Sequence, residues 1–183
     1  MAKKEIRLAG FGGQGIILAG HILGKAAALH ERKNAVFTQS YGPEARGGSC
    51  SADVVISDTA IYYPKVVEPD VLVLMSQGAW GTYGSVIRGG GVLILDEDLV
   101  KIDNDPEGLT TYRVPATRIA EDMGRRIVAN IVMLGALAAL GQVVEYDSMK
   151  QAVSASIPRG TEDFNLGAFD KGFEYGQSLL QKQ

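Results

Sequence analysis

The stretch "EIRLAGFGGQGIILAG", residues 5–20, decides the fold. Residues 4–9 read as a short strand that runs straight into a glycine turn. Residues 15–31 then read as a helix, because Ile16, Ala19, Leu23 and Ala27 recur at three- and four-residue steps among alanines. Gly10, Gly12 and Gly15 have the G-x-G-x-x-G spacing of a dinucleotide-binding turn. Glycines there let the backbone approach a phosphate, and the free N–H groups of the helix start point at it.

Outward from this unit the chain keeps alternating. "NAVFTQS" (34–40) and "CSADVVIS" (50–57) read as strands, separated by the loop "YGPEARGG" (41–48). "DVLVLM" (70–75) and "GVLILD" (91–96) are short apolar runs of the kind buried in a parallel sheet. A glycine-weakened helix (77–87) lies between them, and "TTYRV" (110–114) reads as an edge strand. From Pro115 the chain turns helical, ending in a helix with Leu166, Phe169, Phe173, Gly176 and Leu180 on one face. The pattern predicts an α/β protein: one domain over residues 1–183, three-layer α/β/α, with a Rossmann-like, mostly parallel sheet and a helical C-terminal part.

Composition narrows the function classes. A formal charge of −3 leaves no basic footprint for nucleic acid. Cys50 is the only cysteine, so an internal disulfide and a Cys-x-x-Cys site are excluded. Residues 127–144 are uncharged and reach the lower limit for a membrane span, but Asn130, Gln142 and two glycines interrupt them. They read as a buried or partner-facing helix. With no signal-peptide pattern at the start, the expectation is a cytoplasmic protein without membrane attachment.

The turn alone leaves its use open. A dinucleotide site also needs an acid about twenty positions on, at the end of the second strand. Glu31 follows Gly10 by twenty-one positions but precedes that strand, whose end carries Gln39 and Ser40. A nucleotide redox site, a turn that only packs, and a site for another ligand or a partner's cofactor all stay possible readings. In the following loop, Arg46 beside Gly47 and Gly48 suits a carboxylate or phosphate, because its planar fork pairs bidentately. A surface pair with Glu44 is the alternative. Cys50 reads as a small buried residue, and His21 and His30 lack partners at metal-ligand spacing. Trp80 and Tyr83 read as core or interface aromatics, and Asp96, Glu97 and Asp98 as a solvated turn. Asn130 reads equally as a satisfied buried amide or a functional one, and Asn165 as the cap of the last helix. No catalytic residue and no metal ligand is assigned.

The pairing of "GFGGQG" with "QSYGPEARGG" resembles the gamma subunit of the 2-oxoacid:ferredoxin oxidoreductases. The likeness continues in order through "EPDVLVLMSQGAW", "RGGGVLILD", "VPATRIA", "NIVMLGAL" and "NLGAFDKG", and so covers essentially the whole chain. "AGFGGQGIILAG" with "TQSYGPEARGG" and "ISD" most resembles the 2-oxoglutarate branch, with the pyruvate, branched-chain and indolepyruvate branches as alternatives. The resemblance implies a non-autonomous subunit of a complex that decarboxylates a 2-oxoacid onto coenzyme A, in this branch 2-oxoglutarate to succinyl-CoA. That complex uses thiamine diphosphate, Mg²⁺, an iron–sulfur cluster and coenzyme A, none held by this chain alone. It implies alpha and beta partner subunits, with or without a ferredoxin-like delta subunit, and ferredoxin as electron acceptor. It further implies that Gly12, Gly13, Gln14 and Gly15 lie at the functional rim. Tyr41, Glu44, Arg46, Gly47 and Gly48 would form a loop reaching into a partner, with Arg46 on an anion. The rival readings are a free-standing NAD-type oxidoreductase domain and a purely structural assembly subunit.

Overall fold

A computed structural model of the chain describes residues 3–42 and 48–182. Six strands form one sheet: β1 (Lys4–Phe11), β2 (Asn34–Tyr41), β3 (Ser49–Ser57), β4 (Val71–Leu74), β5 (Val92–Asp96) and β6 (Thr110–Val114). Their spatial order is β2-β3-β1-β4-β5-β6. The β1–β4, β4–β5 and β5–β6 pairings are parallel, whereas β3 runs antiparallel to both β1 and β2. Five strands therefore point the same way, and the carboxyl ends of β1, β2, β4, β5 and β6 share one rim.

Among the described residues the α-helices are α1 (Ile16–Lys25), α2 (Gln77–Tyr83), α3 (Ala116–Asp122), α4 (Ala129–Leu140), α5 (Tyr146–Ser154) and α6 (Glu162–Leu180). A π-helical turn, Ala26–His30, extends α1. The layers are unequal. Residues of β1, β3, β4, β5 and β6 face a large core shared with α1, α3, α4, α5 and α6. On the other face, Ala9, Leu72, Leu74, Leu93 and Leu95 form a smaller cluster with Ala79 and Val100, against which Trp80, Tyr83, Ile87 and Ile102 pack partly buried.

The uncharged segment at 127–144 is explained by this inequality. Every residue of α4 is buried, between the sheet and α6, so it has no wet face to carry charge. No helix among the described residues is long and apolar enough to cross a membrane. Helices α4 and α6 approach so closely that a Cβ on Gly135 or Gly172 would lie under 3.0 Å from the backbone opposite, at Phe169 and Val132 respectively.

Two expectations change. Asn165 does not cap α6: the helix begins earlier, at Glu162 after Thr161, and Asn165 sits one turn inside, its Nδ2 donating to the Thr161 carbonyl at 2.9 Å. Glu162 and Asp163 already favour the positive end of the helix dipole, which moves the start forward. Nor is Asp96 solvated. It is 0% exposed, and its carboxylate accepts from the Thr117 amide (3.0 Å), the Thr117 hydroxyl (2.6 Å) and the Asp98 amide (3.0 Å). Burial pushes its pKa up, against the pull of those donors. A strand-end Asp followed by polar residues reads as a turn until the chain beyond is known to fold back over it.

Candidate functional site

The glycine turn lies at the carboxyl rim, between the end of β1 and the start of α1. Gly13 (φ 99°) and Gly15 (φ 74°) take left-handed conformations that a side chain would strain. Gln14 fixes the turn from within. Its Oε1 accepts from the Phe11 amide at 2.7 Å, and its Nε2 donates to the Met75 carbonyl at the end of β4 at 2.6 Å. A Cβ at Gly10 would displace the Gln14 amide and the Ile16 side chain from the space they fill. The Gly12 amide donates to the Gly48 carbonyl at 2.8 Å, and the Gly42 amide to the Ser49 carbonyl at 2.7 Å. The two flanks of the 41–48 loop are thus tied to the sheet beside the turn, as two strand ends on one rim require. Tyr41 is exposed there. Glu44, Arg46 and Gly47 lie outside the described residues.

Helix α1 opens with no side-chain cap and no acid in its first turn, so its positive end is uncompensated by its own residues. Asn130, only 4% exposed, comes from the start of α4 and donates through Nδ2 to the Gly15 carbonyl at 3.2 Å. This is the satisfied buried amide of the two readings, and it clamps the turn.

Four residues at this rim, Gly124 to Ile127, were not singled out as site residues by sequence reasoning. Gly124 (φ 92°) ends α3, and residues 125–128 then cross the rim in front of the turn. Ile127 stands 77% exposed there, with a cavity on either side. The larger, about 330 Å³, is lined by Gly13, Gly15, Arg125, Asn130, Phe164 and Asn165 among others. The smaller, about 280 Å³, is lined by Gly13, Gln14, Met75, Thr117, Arg126 and Ile127 among others. Arg125 lies over the Phe164 ring at 5.2 Å, and Arg126 pairs loosely with Glu121 at 3.4 Å. The signal was "GRRI" at 124–127, a helix-ending glycine followed by two arginines on a chain with few basic clusters. Nothing local says that this break faces the glycine turn 110 residues earlier.

The remaining candidates fall into structural roles. Cys50 is buried opposite Gly10 and Tyr41 in the ladder, and burial raises its thiol pKa, which suppresses the thiolate. His21 meets the edge of the Phe37 ring at 5.8 Å. Tyr83 covers Arg7, whose guanidinium forms a bidentate pair with Asp53 at 2.7 and 2.8 Å across the thin-layer face.

The geometry also bears on the dinucleotide reading. Glu31 sits at the opposite rim, where it accepts from the Glu145 amide and pairs with Lys33. Strand β3 separates β2 from β1, so the end of β2 lies two strand spacings, about 10 Å, from the turn instead of one. An acid at that end could not reach a ribose held over Gly12–Gly15.

Comparison with known proteins gives a consistent result. The family model for pyruvate ferredoxin/flavodoxin oxidoreductase matches residues 5–175. A 2-oxoglutarate synthase subunit KorC of Methanocaldococcus jannaschii is 58% identical over 179 residues, covering 97% of this chain and 96% of the relative. Among solved structures, a keto/oxoacid ferredoxin oxidoreductase gamma subunit from Geobacter sulfurreducens superposes with a TM-score of 0.84 at 41% identity, over 96% of this chain and 99% of that one. A 2-oxoglutarate:ferredoxin oxidoreductase from Magnetococcus marinus, with 2-oxoglutarate, coenzyme A and succinyl-CoA bound, superposes with a TM-score of 0.88 at 27% identity. That match covers 97% of this chain and 32% of the larger one.

Proposed function

Since the chain belongs to the pyruvate ferredoxin/flavodoxin oxidoreductase family, we propose that it is the gamma subunit of a 2-oxoglutarate:ferredoxin oxidoreductase and supplies part of that enzyme's coenzyme A surroundings. The observation that carries this reading is the end-to-end identity with the 2-oxoglutarate synthase subunit. The complex oxidatively decarboxylates 2-oxoglutarate to succinyl-CoA in the cytoplasm and passes electrons to ferredoxin. This chain works as one domain beside alpha and beta subunits, with or without a ferredoxin-like delta subunit.

The redox and carbanion chemistry belongs to the partners. An iron–sulfur cluster needs several cysteine thiolates, and Cys50 is a single buried thiol with a raised pKa, so the residues here do not fit one. What they do fit is an anion. Within Gly12–Gly15 the Gly12 and Gln14 amides are spent on the Gly48 and Phe11 carbonyls, which leaves the uncapped start of α1 as the donor end, and the candidate partner-contacting residues of the adjoining stretch are Tyr41, Glu44, Arg46, Gly47 and Gly48. Held there, the phosphate end of coenzyme A is fixed while its thiol end extends toward the partner's reaction centre. Positioning of this kind lowers the entropy cost of acyl transfer without any proton transfer by this chain.

Anaerobic affinity purification of the tagged chain from its native cells tests the reading. Recovery of a thiamine diphosphate-binding chain and a cysteine-rich chain, with dye reduction on 2-oxoglutarate and coenzyme A, is the expected result. A chain recovered alone, or a complex active only on another 2-oxoacid, contradicts it.

A further inference from the structure

The two edges of the sheet are unlike. At one, β6 is five residues long and carries Arg113, paired with Asp105 at 2.6 Å, and a short, charged edge of this kind refuses another strand. At the other, β2 runs for eight residues, Asn34–Tyr41, with no charge, no proline and no bulge in its pairing with β3. Among the described residues no strand lies beyond it. We propose that the β2 edge is a self-association surface: two copies of the chain pair antiparallel along β2, about a two-fold axis at Thr38, into one continuous sheet.

The ladder fixes which groups are free. The Gly42 amide donates to the Ser49 carbonyl at 2.7 Å, so Gly42, and with it Ser40, Thr38, Val36 and Asn34, are the residues that bond to β3. Strand β3 gives its alternate residues to β1, in keeping with the bond from Gly12 to Gly48. Ala35, Phe37, Gln39 and Tyr41 therefore turn their amides and carbonyls outward. What satisfies them is an extended strand with the same spacing of groups and no charge to leave unpaired beside them. A second β2 has both properties. Centred on Thr38, Ala35 faces the second copy's Tyr41 and Phe37 its Gln39, each pair exchanging two hydrogen bonds, with no outward residue left over. Centred on Phe37, Tyr41 would instead face Lys33, whose amide already donates to the Ala27 carbonyl at 3.0 Å.

The side chains agree with the Thr38 register. Thr38 is exposed, and with its copy it forms a directly opposed pair of the closer, non-hydrogen-bonded kind, where Thr–Thr contacts are favourable. On the opposite face the exposed Tyr41 comes to lie over the second copy's Ala35, within diagonal reach of its Phe37. Helix α1 passes over this face, with His21 against Phe37, and residues 16–24 carry no Asp, Glu, Lys or Arg, so they bring no like charges together at the axis. Because the two sheets meet antiparallel, their carboxyl rims point opposite ways and both glycine turns stay open to other subunits. A two-fold contact closes on itself, whereas an uncovered strand of this composition would template further addition.

Analytical ultracentrifugation of the purified chain is the test, and wild type is expected to be dimeric at micromolar concentration. Gln39→Pro removes an outward amide but none of the bonds to β3, so it should give a monomer with the circular dichroism of wild type. Thr38→Lys places two like charges across the axis and should weaken the dimer about fivefold at low salt, as should Thr38→Asp. An equal mixture of T38K and T38D should associate more tightly than either alone, because a strand that faces itself at Thr38 brings the two charges together. A monomeric wild type, a dimer that none of these variants alters, or a mixture no tighter than its components overturns the proposal. So do β2 amides that are slowed in hydrogen exchange only within the assembled complex, which would give the edge to a strand of another subunit.

Discussion

The glycines of the rim and the glycines between α4 and α6 do opposite things with the same missing side chain. At Gly135 and Gly172 the space a Cβ would need is filled by backbone of the facing helix. At Gly13 it is empty, and what the residue supplies is a φ of 99°. The first pair removes bulk so that a fully buried helix can be gripped. The second kind keeps a backbone surface open and turned outward, which packing alone does not call for. Glycine count is therefore no guide to function, whereas what surrounds each missing Cβ is.

The comparison can be broken most forcefully in the core. Gly172→Ala drives a methyl into the Val132 carbonyl with backbone on both sides, and overpacking of that kind should cost about 3 kcal/mol. Thermal denaturation of the purified chain should show a fall of many degrees. Unchanged melting would mean that the helix pair is looser than described.

A smaller effect is expected where the rim is anchored to the core. Asp96→Asn weakens the bonds to Thr117, whose side lines the smaller cavity, and should cost about 2 kcal/mol. The pH dependence has a definite sign. Burial raises the folded-state pKa of Asp96, so the folded chain binds more protons than the unfolded one in the window above the ordinary carboxylate range. Its contribution is then greatest at low pH and declines as pH rises through that window. The stability gap between wild type and Asp96→Asn should narrow correspondingly, as denaturant titrations at several pH values would register. A gap that widens would mean that the donors around the carboxylate outweigh its burial.

Gln14→Ala should give the smallest change in stability, about 1–2 kcal/mol for two hydrogen bonds, and a proportionally larger rise in the KM for coenzyme A. It sharpens the comparison, because Gln14 holds the turn without belonging to the core. A loss of stability with no change in KM would put the turn with the packing glycines.

The alternation of apolar runs and helical periods made the layer architecture legible, since each run is short, bounded and buried where a parallel sheet buries both faces. The glycine turn was legible for the same reason: its spacing is local and its strand and helix lie next to it. Direction was not. β3 reads as a strand from "CSADVVIS", but that it runs against its neighbours, and so displaces β2 from β1, depends on the length of the 41–48 loop and on pairing between distant segments. Asp96 and the Arg125–Ile127 crossing were missed for a related reason. Each acquires its role from a residue far along the chain, Thr117 in one case and Gly13 in the other, and hydrophobic period carries no information about such meetings.

The most direct measurement is on Gly13→Ala in the assembled complex. The added methyl meets no atom within 4 Å, and the left-handed backbone costs about 1–2 kcal/mol, so the fold should survive and the subunits should co-purify. A ligand-binding turn predicts a KM for coenzyme A raised about tenfold or more, with the KM for 2-oxoglutarate little changed. A complex that melts earlier but binds coenzyme A as before would contradict the account.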